Sequence, residues 1–277
     1  MKKSTKKNIQ RALIVCISVI LIFIVLWSFV RPSHDRVWSL DQLVLPFSEQ
    51  RGELLHMYNI RNFTYSNTST YVPSYYNATY NLSRLDSVWY IVEPFSEWEG
   101  SAHTFLSFGF NDSFLAVSVE IRKEKGEIFS AVKGLFKRYE LMYVLGDEKD
   151  LVKLRSNYRK DNVYLYPVNT SRETMQLLFV DILSRVNELY AKPEFYNSLT
   201  NTCTTNIAKH ANRIKPGRIP FNVAILAPGY SDKFAYELGI INTTLPYEEI
   251  RKHFQINERA MKYANDSQFS LRIREFE

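Results

Sequence analysis

The sequence predicts an α+β protein, in which one N-terminal transmembrane helix is followed by a domain whose antiparallel sheet packs on helices. Three patterns predict this class. Residues 12–30 are uncharged and mostly apolar over the length of a membrane span. Several short segments in the middle of the chain alternate apolar and polar residues, which is typical of half-buried strands. Residues 171–191 carry an apolar stripe with helical spacing.

The N-terminal segment predicts the topology. As a helix with a rise of ~1.5 Å per residue, residues 12–30 would span about 28 Å, close to the ~30 Å hydrocarbon core of a bilayer. The positive-inside rule then predicts a cytoplasmic tail at residues 1–11 and places everything after Arg31 on the other side. A cleaved signal peptide is the alternative, but its apolar core would be shorter, about 7–15 residues, and residues 26–32 make a poor cleavage site. Six basic residues precede or flank the span: Lys2, Lys3, Lys6, Lys7, Arg11 and Arg31.

The net charge of the chain comes from this segment. The chain has 35 basic and 29 acidic residues, and six of the basic residues lie in residues 1–31, which contain no acid. The remainder carries 29 charges of each sign, so there is no general electrostatic case for a nucleic acid partner. We expect a juxtamembrane segment at 31–57, one domain at 58–215, and a C-terminal extension at 216–277 that packs on the domain.

Five strands are predicted from alternation and from the turn residues that bound them. The loop at residues 109–113 joins two of them into a hairpin, and in the second strand of this hairpin Ala116, Ser118 and Glu120 share one face. The predicted strands are Val88–Val92, His103–Phe108, Phe114–Ile121, Glu140–Leu145 and Val163–Val168.

Helices are predicted mainly in the second half of the chain. Ser171 or Thr170 can cap the helix at 171–191, and Pro193 follows its end. A second helix is predicted from about Asn201–Cys203 to Ile214. Two short charged helices are predicted at 246–255 and 257–264.

Cys203 is the main candidate for a catalytic residue. The other cysteine, Cys16, lies in the predicted span, so Cys203 has no partner for an internal disulfide. If Asn201 or Thr202 caps the helix, Cys203 lies in its first turn, where free N–H groups and the macrodipole stabilise a thiolate or a developing oxyanion. Asn201, Thr202 and Asn206 are therefore candidates for substrate binding or for the oxyanion site. The alternative is a buried thiol that only packs.

A nucleophilic cysteine needs a base, and His103 is the predicted one. His210 is seven residues beyond Cys203 on the same predicted helix, roughly 10 Å away along the axis, which is too far for direct proton transfer. If the hairpin turns at Asn111–Asp112, His103 faces Glu120 with Cβ atoms roughly 4.5–5.5 Å apart. Glu120 could then fix the imidazole tautomer, although an exposed strand carboxylate is the alternative. The other histidines outside the membrane are His34, His56 and His253.

No cofactor and no metal site are expected, since the sequence has no close pair of histidines and no Cys-x-x-Cys. It also lacks Gly-x-Ser-x-Gly and a Gly-rich phosphate loop.

Four stretches carry a family resemblance: residues 101–110 (SAHTFLSFGF), 118–122 (SVEIR), 163–167 (VYLYP) and 201–206 (NTCTTN). Together they resemble the Lnb N-terminal periplasmic domain family. The resemblance implies a circularly permuted papain-like fold, similar to that of lecithin–retinol acyltransferase, in which the histidine strand precedes the cysteine helix. It also implies that His103, Glu120 and Cys203 form one site, and the family's Lnb proteins are linked to N-acylation of bacterial lipoproteins.

The resulting hypothesis is a thiol acyltransferase of the bacterial envelope. It would be a single-pass protein of the inner membrane with its main domain in the periplasm, and its partners would be membrane lipid and a lipoprotein or peptide substrate. A papain-like peptidase or amidase would use the same residues. A non-catalytic binding or scaffold domain is the third possibility, and it would need neither an ionised thiol nor a paired histidine.

Overall fold

The N-terminal helix forms a unit of its own. The computed structural model describes residues 2–276, and the chain divides into two compact units between Asp35 and Arg36. The first unit contains helix α1 (Lys2–Ser28), so residues 2–11 of the predicted tail belong to the same helix as the predicted span. Within α1, Lys7–Ser28 has a mean hydropathy of 2.7 and is the one helix of the described residues that is long and apolar enough to cross a membrane.

The second unit is a sheet-rich domain with helices packed on it. Its strands are β1 (Phe47–Arg51), β2 (Leu54–Arg61), β3 (Thr64–Tyr65), β4 (Tyr71–Val72), β5 (Tyr75–Asn81), β6 (Leu85–Pro94), β7 (Ala102–Phe110), β8 (Ser113–Arg122), β9 (Glu140–Asp147) and β10 (Tyr164–Pro167). Its helices are α2 (Ala131–Gly134), α3 (Glu148–Lys153), α4 (Arg172–Ala191), α5 (Cys203–Ile214), α6 (Ser231–Glu237), α7 (Tyr247–Phe254), α8 (Asn257–Lys262) and α9 (Phe269–Arg272). The predicted α+β class is confirmed, and each predicted strand and helix lies at its expected place.

The main sheet is almost entirely antiparallel. Its strand order is β1-β2-β9-β8-β7-β6-β10, with β5 also paired to β2. The pairing of β2 with β9 is parallel and runs through Arg61 and Gly146. Strands β6 to β9 form its centre and are buried along most of their length.

The hairpin of β7 and β8 has the predicted register. The chain turns at Asn111–Asp112, where Asn111 has a φ of +55°, as two-residue hairpin loops require. Phe105 then pairs with Ser118 and Leu106 with Val117. Extending this register by two residues places His103 opposite Glu120.

Two apolar clusters cover the two faces of the sheet. On one face, the α4 stripe of Met175, Phe179, Ile182, Leu183, Val186 and Leu189 is buried, as the spacing predicts. On the other face, the helices α3, α8 and α9 pack on residues such as Ile91, Phe105 and Met142. Residues 216–277 contribute to both clusters through Ile250 and Ile256.

The domain begins earlier in the chain than the predicted boundary at residue 58. Residues 36–57, which lie in the predicted juxtamembrane segment, belong to the second unit and supply β1 and the start of β2. In β1 only Ser48 is buried. An edge strand exposes most of its side chains, so its charged residues left no apolar alternation to read.

Candidate active site

Helix α5 begins at Cys203 because Thr202 caps it. The Thr202 hydroxyl accepts a hydrogen bond from the N–H of Thr205 at 3.2 Å, and the Thr205 hydroxyl accepts one from the N–H of Thr202 at 2.7 Å. This reciprocal pair is a capping box. Cys203 therefore occupies the first helical position, where N–H groups lack intrahelical partners and the helix dipole favours negative charge.

The Cys203 thiol lies against the start of β7. Its Sγ is 3.7 Å from the Thr204 hydroxyl, which itself lies 2.9 Å from the Thr104 hydroxyl. Burial raises the pKa of the thiol, but a hydrogen bond with His103, the positive charge of that ring and the N–H of Thr104 together lower it from 9.0 to about 7. The structure thus brings the predicted nucleophile and the predicted base together.

The His103 ring is held by two groups on β8. Its Nε2 is 2.7 Å from the Ser118 hydroxyl and 3.3 Å from Glu120 Oε1. The Ser118 hydroxyl donates its own proton to Glu120 Oε1 at 2.7 Å. The Ser118 oxygen is therefore left to accept a hydrogen bond from a proton on His103 Nε2. Burial lowers the pKa of His103, but Glu120 and Cys203 raise it to about 10. The geometry favours an imidazolium beside a thiolate.

Glu120 is kept ionised by His103 and, through a further side-chain contact, by Arg155. Arg155 Nη2 donates to Glu120 Oε1 at 2.9 Å, and Nε of the same guanidinium donates to Glu93 Oε2 at 2.6 Å. Burial raises the pKa of Glu120, but His103, Arg155 and Ser118 lower it well below its ordinary value. One buried arginine therefore bridges two carboxylates. Glu93 lies directly opposite His103 in the pairing of β6 with β7.

A π-helical turn carries this arginine. The chain leaves α3 as a π-helix over Leu154–Arg159, which ends at Lys160 with a φ of +62°. The guanidinium carbon of Arg155 lies 4.8 Å from the centre of the Phe105 ring, and that ring stacks on His103 at 5.6 Å between centroids. Phe105 thus packs against both the arginine and the imidazole, and Glu120 contacts both as well.

The amide side chains of Asn201, just before α5, and Asn206, in its first turns, hold the loop together. Asn206 Nδ2 donates to the carbonyl of Thr202 at 2.7 Å and to Asn201 Oδ1 at 3.0 Å, and Asn201 Nδ2 donates to the carbonyl of Phe195 at 3.0 Å. These contacts, like the Thr202 cap, position Cys203. A role for Asn201, Thr202 or Asn206 in binding substrate or an oxyanion stays a prediction.

His210 belongs to a separate buried cluster. Its Nε2 lies 2.6 Å from the Tyr143 hydroxyl and its Nδ1 lies 2.5 Å from Asp181 Oδ2. Burial lowers the pKa of His210. Both ring nitrogens of His210 bind groups other than Cys203. This agrees with the distance between His210 and Cys203 expected along the helix axis.

A glycine fixes the loop that leads into the His103 strand. The N–H of Gly229 donates to the carbonyl of Gly100 at 3.0 Å. A Cβ at position 229 would lie only 1.7 Å from the carbonyl oxygen of Glu99, so only glycine permits this close approach of two backbone segments.

Sequence reasoning missed Ser118, Arg155 and Glu93 as members of the site. Ser118 could have been found, since it lies two residues before Glu120 and therefore on the same face of β8. Arg155 and Glu93 gave no such signal, because a charged residue is mostly exposed and nothing local indicates that these two are buried together.

We expect Ser118→Ala to move the midpoint of Cys203 alkylation to higher pH, but by less than loss of the imidazole does. The hydroxyl stabilises ionised Glu120, so its loss weakens the charge that supports the imidazolium. The midpoint is measured from the pH dependence of the alkylation rate. Ser113→Ala, at the exposed turn of the same hairpin, is the control. A midpoint unchanged in Ser118→Ala would show that Glu120 supports the ring without the hydroxyl.

Comparison with known proteins supports the family resemblance. A family model described as the Lnb N-terminal periplasmic domain matches residues 71–229. The chain has no significant match among curated proteins or solved structures. A periplasmic domain and one apolar N-terminal helix together fit a single-pass membrane protein. Since the match includes His103, Glu120 and Cys203 and extends over more than half of the chain, the chain belongs to the Lnb N-terminal periplasmic domain family.

Proposed function

We propose that this protein is a thiol acyltransferase anchored in the bacterial inner membrane by a single span, which acts on lipid or lipoprotein substrates. The observation that carries the proposal is the grouping of the three side chains: His103 is near enough to Cys203 to lower the pKa of the thiol, and its Nε2 lies 3.3 Å from Glu120 Oε1. Lowered thiol and raised imidazole pKa values are typical of a cysteine that serves as a nucleophile.

The reaction would proceed in two steps with His103 as the proton carrier. The Cys203 thiolate attacks the carbonyl carbon of an ester, and a carbon–sulfur bond forms. When the carbon–oxygen bond breaks, the leaving alkoxide takes the proton of the imidazolium. An amine then attacks the thioester, a carbon–nitrogen bond forms, and the carbon–sulfur bond breaks. The imidazole takes the amine proton, which restores the thiolate and imidazolium.

The ring orientation fits this exchange of protons. Ser118 and Glu120 engage Nε2, which leaves Nδ1 as the nitrogen that exchanges a proton with the sulfur and the leaving group. The N–H groups in the first turn of α5 are suited to hold the oxyanion that forms in both steps. Glu120 keeps the ring oriented and stabilises its positive charge, and it does not itself transfer a proton.

Two further features support the proposal for fold and location. The histidine strand β7 precedes the cysteine helix α5 in the chain, which is the order of a circularly permuted papain-like domain. The basic residues before the apolar helix favour a cytoplasmic N-terminus, and a tether to the membrane would hold the site near lipid and lipoprotein.

Acylation of Cys203 tests the proposal directly. The full chain in nanodiscs, in a Cys16→Ser background, is incubated with phospholipid labelled in its acyl chains and then with a lipopeptide that has a free N-terminal amine. We expect a hydroxylamine-sensitive label on Cys203, which then passes to the lipopeptide as a hydroxylamine-resistant amide.

Cys203→Ser is the control and should take up no hydroxylamine-sensitive label. Label that passes to water in place of the lipopeptide would assign the site to a hydrolase. Absence of any adduct from a folded protein, with a thiol that titrates at its ordinary pKa, would favour the scaffold and overturn the proposal.

A further inference from the structure

An apolar cavity lies beside the candidate site. Its volume is about 380 Å³, and it is bordered by the sheet, α5, α6 and the start of α4. This volume is within the range of small-molecule sites, about 300–1,000 Å³. Its walls are formed mainly by apolar side chains, including Val88, Leu106, Ile207, Ala211, Phe234 and Ala235.

One end of the cavity lies beside Thr204, the residue that follows Cys203 in α5. Thr204 lines the cavity, and its hydroxyl is 3.7 Å from Cys203 Sγ. Tyr90 and Leu106 line the same end from strands β6 and β7. A group bound at this end of the cavity would therefore contact Thr204 and lie close to the sulfur.

The cavity is elongated along α5. Residues Thr204, Ile207, Ala208, Ala211 and Lys215 all line it, and their spacing marks one face of the helix. At a rise of ~1.5 Å per residue, the distance from Thr204 to Lys215 is about 16 Å. The two alanines add little volume, which leaves room along the middle of the helix, and Lys215 at the far end is exposed to solvent.

Three polar side chains of the lining, Tyr90, Ser231 and Arg218, are already hydrogen-bonded within the protein. The Tyr90 hydroxyl donates to Ser231 Oγ at 2.7 Å, and Ser231 donates to the carbonyl of Pro228 at 2.5 Å. Arg218 Nη1 donates to the carbonyl of Leu238 at 2.8 Å. A peptide would need main-chain hydrogen-bond partners along its length, whereas a hydrocarbon chain needs none.

We propose that this cavity binds the hydrocarbon chain of the acyl group that Cys203 accepts. The inference rests on the proposed function and narrows its substrates to esters of long, unbranched acids. Each methylene buried in the cavity leaves water, so a long chain binds better than a short one.

A variant that fills the cavity tests the inference. The full chain in nanodiscs, in a Cys16→Ser background, is treated with p-nitrophenyl acetate or p-nitrophenyl palmitate. In both reactions the Cys203 thiolate forms the thioester and p-nitrophenolate leaves. We expect Ala211→Phe to slow palmitoylation about tenfold or more, the equivalent of about 1.4 kcal/mol or more of lost binding, while acetylation continues at the rate of the parent protein.

Lys209→Phe is the matched control, because it places the same ring on the exposed side of α5. It should leave both rates unchanged. The unchanged acetylation in Ala211→Phe also shows that the variant is folded. Equal slowing of both esters, or slowing of neither, would overturn the inference.

A second measurement does not depend on the reactivity of the thiol. Full-chain Cys203→Ser in nanodiscs is irradiated with a palmitic acid that carries a diazirine in its chain, and the labelled peptides are mapped. We expect cross-links to the lining residues of α5 and α6, such as Ile207 and Phe234, and loss of those cross-links in Ala211→Phe. Cross-links confined to α1 would overturn the inference.

The two measurements separate failure of the cavity from failure of the proposed function. If neither ester acylates Cys203 but the cross-links fall on α5 and α6, the cavity binds a hydrocarbon chain and the proposed acyl transfer is wrong. If both esters react equally well and no cross-link falls in the cavity, the thiol chemistry stands and the chain-binding site is wrong.

Discussion

Alkylation of Cys203 should rise with pH around a midpoint near 7, and His103→Ala should move that midpoint to 9 or above. The thiol pKa is about 7 in the folded protein against an ordinary value of 9.0. Without the imidazole, burial still raises this pKa, and only the N–H and the hydroxyl of Thr104 remain among the main groups that lower it. The pH dependence of the iodoacetamide rate in a Cys16→Ser background measures the midpoint.

The direction of the pH dependence follows from the charges of Cys203 and His103. Below about pH 7 the sulfur holds its proton and alkylation is slow. Between about pH 7 and about pH 10 the pair exists as thiolate and imidazolium, since the pKa of His103 is raised to about 10. Above that range the imidazole is neutral and no longer supplies a proton to a leaving group. Acyl transfer should therefore follow a bell-shaped profile whose two limbs belong to the pair as a whole.

His56→Ala is the control for this experiment, because His56 contacts Thr79 in another part of the sheet. Its midpoint should equal that of the parent protein. A parent midpoint near 9, or one that His103→Ala leaves in place, would mean that the imidazole does not stabilise the thiolate in solution. The site would then be better explained as a scaffold.

Arg155→Met should destabilise the domain by about 3–5 kcal/mol. The side chain of Arg155 is 4% exposed and binds Glu93, which is fully buried, as well as Glu120. Methionine keeps much of the volume but leaves Glu93 without its closest charge partner, and a buried unpaired carboxylate is costly. Urea unfolding of the full chain, followed by tryptophan fluorescence at constant pH, measures the change in the free energy of unfolding.

Arg159→Met provides the comparison, since Arg159 contacts the same Glu93 at 3.4 Å but its side chain is 44% exposed. Exposed ion pairs contribute about 0–1 kcal/mol, so this variant should unfold nearly as the parent does. If both variants lost the same stability, burial of Arg155 would not be the cause.

We also expect Arg155→Met to raise the midpoint of Cys203 alkylation, because Arg155 helps to keep Glu120 ionised.

Much of the site could be predicted from local patterns. The turn at Asn111–Asp112 determined which residues of β7 and β8 face each other, and a hairpin of two-residue loop allows only one register. His103 and Glu120 were therefore paired correctly from residue numbers alone. Cys203 was placed at a helix start because hydroxyl and amide side chains precede it, and the cap at Thr202 confirms this position.

Long-range contacts decided the rest. Cys203 and His103 are separated by a hundred residues, and the sequence offered their residue types but no measure of their separation in space. Arg155 reaches Glu120 from a π-helical turn, which has no reliable sequence signature. The strand β1 was missed because its outward side chains are charged.

Local sequence is sufficient to specify the apolar N-terminal helix, the register of the central hairpin and the cap that starts α5, because each depends on residues within a few positions of one another. Packing of the whole domain, by contrast, is what joins Arg155 to both Glu93 and Glu120 and opens a cavity beside Thr204. Both arise where side chains from distant segments meet. The strength of the Arg155 ion pairs and the shape of the cavity both depend on which side chains are buried, and burial is a property of the packed domain.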